Sequence, residues 1–391
     1  MAGNFEGIKT RNFGIEIEMT GLTRCQAARA IAKVLGGTAF HEGGSYDKYT
    51  VDDEQGRTWS IVYDGSVKCV DANGNSASKS YSVELNSPVL GYEDIPLLQE
   101  VIRALRHAKG RCGPEYCCGT HIHISADDYT PQQIRNLVNI FASKEDFLWD
   151  ALQVSSARSG YCAKSDPWFV EELNRKKPKT IEKIKELWYR GNMNEQYRHY
   201  SNTRYDALNL HSYFQHGHYE IRCCNASLHA GEVRAQIVLA LAISNAAMTK
   251  KYCSPSVSHS DNMRYSFRVW LLNLGLIGDE YKNCRTHLLK HLTGDIAWRH
   301  PEDGVAQRER LRQERIATRS QVERASVDMP NDGMPAREQE QRNEPPCDER
   351  VEPVSEVREE VGETPDENLE AAVSDCDDFE ETEDEGMAMS M

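Results

Sequence analysis

The sequence has no G-x-x-x-x-G-K-[ST] loop, no Cys-x-x-Cys pair, no apolar run long enough to cross a bilayer and, beyond residue 300, no lysine. Without the glycine-rich loop a P-loop kinase is unsupported. The twelve cysteines carry no zinc-ribbon or redox spacing, so the pairs Cys117-Cys118 and Cys223-Cys224 read as ordinary buried thiols. The N-terminus, MAGNFEGIKTRNFG, lacks the apolar core of a signal peptide, and the most apolar stretch, IVLALAISNAAM, is short. Together these absences predict a cytoplasmic protein with reduced thiols and no membrane partner.

Charge is unevenly spread. Residues 301–391 hold 28 Asp and Glu against 10 Arg, a balance more negative than the −15 of the whole chain. Residues 1–300 are thus close to neutral, with no basic patch to hold a phosphate backbone, which argues against nucleic acid as a partner. The predicted organisation is a folded domain over 1–300 and an acidic, largely disordered tail over 301–391. Within the tail, 307–327 has the mixed charge of a solvated helix. The rest has too little apolar surface to offset the entropy of ordering. It reads as a solubilising spacer or as a docking tail for a basic protein partner.

What is present is a set of short strands, each with one apolar face and one chemically loaded face. In NFGIEIEMT the alternation puts Ile15, Ile17 and Met19 on one side and Glu16 and Glu18 on the other, about 7 Å apart. YSVELNSPVL isolates Glu84, CGTHIHIS pairs His121 with His123, YEIRCC pairs Glu220 with Arg222, and WSIVYDGSV ends in Asp64 at a glycine turn. Further strands are expected at 38–42, 46–53 and 67–70. Helices are expected after Thr23, through 92–110, after the Thr130-Pro131 start, and in three stretches between 231 and 292. Strands and helices without a regular βαβ rhythm predict an α+β fold.

Each polar pair alone has a dull explanation, as a solvated face or an ion pair. These acids, with two imidazoles and a guanidinium on one sheet face, instead suggest a divalent cation, Mg²⁺ or Mn²⁺, relieving the repulsion of Glu16 and Glu18.

The order of these motifs resembles that of the amidoligase enzymes in the carboxylate–amine ligase superfamily, which includes glutamine synthetase and the glutamate–cysteine ligases. The resemblance rests on E-x-E, W-x-x-x-x-D-G-S (59–66), E-L-x-S-P, G-x-H-x-H, the RYDALNL segment (204–210) and E-x-R, and spans roughly residues 11–250. It implies a glutamine synthetase-like funnel: a curved antiparallel sheet backed by helices. It also implies ATP-dependent joining of a small-molecule or peptide carboxylate to an amine through an acyl phosphate. By that resemblance Glu16, Glu18, Glu84, His121 and Glu220 hold Mg²⁺ or Mn²⁺. Arg222, Arg204 and His123 contact phosphates, Asp64 lies near the amine, and Asn209 positions the nucleotide or acid. Two other readings share the residues: a scaffold that keeps a ligase-like fold, with the tail as its working part, and a metal-dependent hydrolase, which needs neither Arg222 nor ATP.

Overall fold

The computed structural model describes residues 6–158, 160–198, 201–257 and 259–327. Its centre is one open sheet of eight strands: β1 (Phe13–Met19), β2 (Ala39–Gly43), β3 (Lys48–Asp52), β4 (Thr58–Val62), β5 (Val83–Asn86), β6 (Gly119–Ser125), β7 (Leu208–Asn209) and β8 (His218–Asn225). The spatial order is β2-β3-β4-β5-β1-β6-β8-β7, with every neighbouring pair antiparallel. The fold is α+β, as the irregular alternation of elements predicts.

Period-two patterning decides which face is buried. Phe13, Ile15, Ile17 and Met19 of β1, with Val83 and Leu85 of β5 and Ile122 and Ile124 of β6, are almost wholly excluded from solvent. They form one apolar core with the helices α1 (Arg24–Leu35), α2 (Ile95–His107), α3 (Pro131–Leu152) and α7 (Ala230–Thr249). The polar residues between them are thereby committed to the opposite face. Fully burying a Leu or Ile is worth roughly 1.5–3 kcal/mol, so a one-residue slip that moved these side chains into water would be heavily penalised.

Helix ends follow local chemistry. Thr23 and Thr130 each complete a capping box with a glutamine three residues on, and Gly36, at φ 70°, closes α1 in the left-handed region. In α2, Ile95, Leu98, Val101, Ile102 and Leu105 make the apolar stripe. By contrast α7 is buried nearly all round, because α2, α3 and α9 (Lys282–Leu289) surround it. Short helices α4 (Pro167–Lys176), α5 (Ile181–Trp188) and α6 (Leu210–His216) occupy the polar segment between α3 and β8, and α8 (Met263–Asn273) precedes α9.

Two expectations differ from the structure. Residues 67–70 form no strand; Val70 makes only an isolated bridge to Ser76, since Gly and Asn on both sides turn the chain before a ladder can grow. The mixed-charge helix begins earlier than expected: α10 runs from Pro301 to Val327. One compact unit extends to Arg308 and a second starts at Glu309. The acidic segment from 328 onward lies outside the described residues. No helix among the described residues is long and apolar enough to cross a membrane.

Candidate active site

Four adjacent strands deliver the loaded face. On β1, Glu18 is the register partner of Glu84 on β5, and Glu16 is the partner of His121 on β6. His123 is in turn the partner of Glu220 on β8. The register sorts the ligand-type side chains into two groups. Glu16, His123 and Glu220 bring ligand atoms within 4.8 Å of one another, and so do Glu18, Asp64 and Glu84. Asp64 reaches the second group from the turn after β4, where its Oδ1 accepts the backbone N–H of Ser66 at 2.7 Å.

His121 stands between the groups. Its Nδ1 lies 3.0 Å from Glu16 Oε2 and 3.3 Å from Glu220 Oε1, while Nε2 is 3.9 Å from Glu18 Oε1. The same Nε2 is 3.5 Å from an Nη of Arg158. Arginine can only donate, so that contact favours a lone pair on Nε2 and a proton on Nδ1, directed at Glu16.

The two groups differ in electrostatics. Burial opposes ionisation of Glu16, but His123 and His121 outweigh it and hold Glu16 well below the usual carboxylate range. Glu220 is likewise held low against burial, by Arg222 and both histidines. Burial would also strip charge from His123, yet Glu16 and Glu220 raise it to about 8. This group is balanced from within the protein. In the other, burial together with the charges of Glu16, Asp64 and Glu18 pushes Glu84 well above its ordinary value, and burial raises Glu18 despite His121. Three carboxylates there face too little positive charge, which is the condition a divalent cation corrects.

Supporting contacts fix the ligands. The Gly119 N–H donates to Glu18 Oε2 at 2.6 Å. Asn209 Nδ2 donates to Glu220 Oε2 at 2.7 Å while its Oδ1 accepts from Ser212 N–H to cap α6. Asn209 is thus buried behind Glu220, with both ends of its amide engaged. Arg222 pairs with Glu220 Oε1, and its Nε donates to the Tyr161 carbonyl at 3.3 Å. His123 Nδ1 meets His218 Nδ1 at 3.2 Å, and burial with the His123 charge pushes His218 down to about 4. The buried Asn86 Oδ1, on the strand position paired with Glu16, has no hydrogen-bond partner among the described residues.

The face opens into a cavity of about 450 Å³ that takes in Glu16, Glu18, Asp64, Glu84 and His121 together with Arg158, Arg204 and Arg222. The structure therefore brings Glu16, Glu18, Asp64, Glu84, His121, Arg204 and Arg222 onto one cavity, whereas the predicted Glu220, His123 and Asn209 are not part of its lining. Three of its features have no counterpart in the sequence reading. Arg158 is almost fully buried at 2% exposure; its Nη atoms donate to the carbonyls of Cys224 at 2.6 Å and Arg222 at 3.1 Å. It arrives from a single 3₁₀ turn, Ser156–Arg158, where no periodicity marks it. Tyrosines 46, 63, 161 and 205 add an aromatic rim. Cys117, read as a buried thiol, instead lies half-exposed on the cavity wall, because the backbone turns left-handed there at φ 60°. Cys118, Cys223 and Cys224 are buried as expected; a one-residue shift in the β6–β8 ladder lies beside the latter two.

Residues 9–244 match the model of one protein family, described as "putative amidoligase enzyme". No curated protein sequence matches the chain significantly.

Proposed function

Because the chain belongs to the amidoligase family, we propose that it is an ATP-dependent ligase joining a carboxylate to an amine through an acyl phosphate. The observation that carries this reading is the group of Glu18, Asp64 and Glu84, three carboxylates within 4.8 Å that share a cavity with Arg158, Arg204 and Arg222. Acids alone would suit many metal-dependent hydrolases. Three guanidiniums beside them suit a substrate carrying several phosphates.

The donor set fits hard divalent cations. Glu18, Asp64 and Glu84 offer oxygen only and would hold Mg²⁺ or Mn²⁺; Glu16, His123 and Glu220, balanced among themselves, would hold a second ion only once His123 has given up its proton. When bound, these ions would supply charge neutralisation for the phosphate oxygens.

The chain's own residues do the rest. Arg204 and Arg222 line the cavity where phosphoryl charge would accumulate, and Arg222, held by Glu220 and the Tyr161 carbonyl, would need little reorganisation as a donor. Arg222 is positioned by Glu220, which Asn209 holds from behind. His121, with Nδ1 toward Glu16 and Glu220, would hold those two carboxylates in place by its N–H. The rim tyrosines would cover part of the bound substrates, and the buried Arg158 holds the wall behind them through the carbonyls of Cys224 and Arg222. The acidic substrate and the amine are small molecules or peptides, and the reading makes no demand on the residues after 327.

Calorimetric titration of a non-hydrolysable ATP analogue, with and without Mg²⁺, tests the site without knowledge of the substrates. Binding that requires Mg²⁺ and is lost in Glu18→Gln supports the reading; no binding under either condition overturns it. Release of ADP and phosphate only when an acid and an amine are both present then separates a ligase from a hydrolase or a scaffold.

A further inference from the structure

Where α7 begins against α9, His229, Glu232 and His287 each place a ligand atom within 4.8 Å of the other two. None of the three belongs to the sheet cavity, and the ligase reading uses none of them. We propose that they form a separate metal site, for a borderline divalent cation of the Zn²⁺ class, that clips α9 to the start of α7.

The donor chemistry separates this site from the one on the sheet. Two imidazoles and one carboxylate suit Zn²⁺ far better than Mg²⁺, and three protein ligands leave a fourth tetrahedral position to water. The positions are built for convergence. His229 is the N-cap of α7 and Glu232 lies three residues on in its first turn, a spacing that puts both on one side of the helix end. His287 comes from α9, its ring centroid 5.0 Å from that of His229 and its plane tilted by 57°. Between them sits Gly231, where an added Cβ would meet His287 Nε2 at 2.6 Å. The missing side chain is what lets that nitrogen come so close to the helix end.

The carboxylate already serves a cation. Lys290 Nζ pairs with Glu232 Oε1, and Ser227 Oγ donates to Oε2 at 2.7 Å. Both partners of the ion pair are partly exposed, with side chains 38% and 27% accessible, so the ammonium can swing out as a metal enters. Coordination through His229 Nδ1 would end the hydrogen bond that this atom accepts from the Glu232 N–H at 3.2 Å, and the ion would displace the Lys290 ammonium from the carboxylate. Lys290 is the built-in competitor.

The test uses the full chain carrying Glu16→Gln and Glu84→Gln to weaken metal binding at the sheet carboxylates, stripped with a chelator and titrated with Zn²⁺. Co²⁺ serves as a spectroscopic substitute whose visible absorption reports its coordination. One equivalent of Zn²⁺ should bind, and it should be lost in His287→Gln. It should bind more tightly in Lys290→Met, which removes the competing ammonium. Should His287→Gln fold poorly, the exposed His229→Gln gives the same comparison. No bound Zn²⁺, an equivalent retained in the histidine variants, or binding unchanged or weakened by Lys290→Met would each overturn the proposal. Because the readout is the response of bound Zn²⁺ to His229, His287 and Lys290, none of which the ligase reading uses, failure here leaves that reading untouched.

Discussion

Glu18 and Glu84 are direct partners across the β1–β5 ladder, so two carboxylates face each other on one cavity wall. Like charges directly opposite in a sheet are destabilising, and here burial adds to the cost. Glu84→Gln should therefore stabilise the metal-free protein, by a few tenths to about 1 kcal/mol on the scale of cross-strand pairs, while abolishing Mg²⁺-dependent nucleotide binding. Thermal denaturation in a chelator, paired with calorimetry, checks both halves. A lower melting temperature would show that Glu84 is a structural residue.

Asn209→Asp separates capping from ligand positioning. Aspartate is as good an N-cap as asparagine, so α6 should persist. The donor to Glu220 Oε2 is lost, however, and a carboxylate takes its place beside another at 2.7 Å. Nucleotide binding in the presence of Mg²⁺ should weaken about tenfold or more, in line with other outer-shell changes at metal sites, with helical circular dichroism unchanged. Affinity equal to wild type would release Asn209 from that role.

At Gly119 an added Cβ would lie 2.0 Å from an Nη of the buried Arg158. Gly119→Ala must expel that guanidinium or shift β6. The expected cost is about 1–3 kcal/mol, as for other overpacked cores, together with weaker nucleotide binding. Denaturant unfolding measures the first effect. Full retention of both stability and affinity would mean that Arg158 is dispensable.

The acid side of the stability profile should depend on Arg57. Its Nε donates to Asp53 at 2.9 Å and its Nη1 to Asp94 at 2.8 Å, tying the β3–β4 turn to the residue that precedes α2. Burial works against both carboxylates, but hydrogen bonds, Arg57 among the donors, hold each below its usual value. A depressed carboxylate contributes stability that is present above the unfolded pKa and lost as pH falls through the folded one. Arg57→Ala should destabilise by about 2 kcal/mol near neutrality, with the gap to wild type closing below about pH 4, where both aspartates protonate in the unfolded chain. Melting temperatures from pH 3 to 7 test it, and a gap constant across that range would point to lost packing instead.

Deleting residues 328–391 should leave Mg²⁺-dependent nucleotide binding unchanged, since every side chain placed in the cavity lies between Glu16 and Arg222. A lost affinity would give the acidic segment a direct part in the site.

The strand chemistry was readable in advance because alternation with period two leaves little choice. Once Ile15 and Ile17 go inward, Glu16 and Glu18 must face outward, and the same logic carries Glu84, His121, His123 and Glu220. The division of these residues into two groups was not readable, since it depends on β1 lying between β5 and β6, an order no local pattern encodes. For the same reason Asp64 emerges beside Glu18 and Glu84, and His123 beside Glu16 and Glu220. Arg158 was invisible because its position comes from a single turn, and Cys117 because one left-handed residue redirects it. Glycine and asparagine around 67–70 suggested a boundary, but the four residues between were too few to tell a strand from a bridge.

The central place of β1 carries a cost during synthesis. The first strand of the sheet to leave the ribosome must wait for β5, some 65 residues later, and then for β6, before both of its edges are covered. The arginine that offsets its charge, Arg222, follows later still, on β8. Before β5 and β6 arrive a nascent chain carries an acidic ribbon with open hydrogen-bonding edges, and self-repulsion among those carboxylates is what would keep two such ribbons from pairing with each other. The charges that make the cavity expensive in the finished protein would thus act as a guard on the unfinished one.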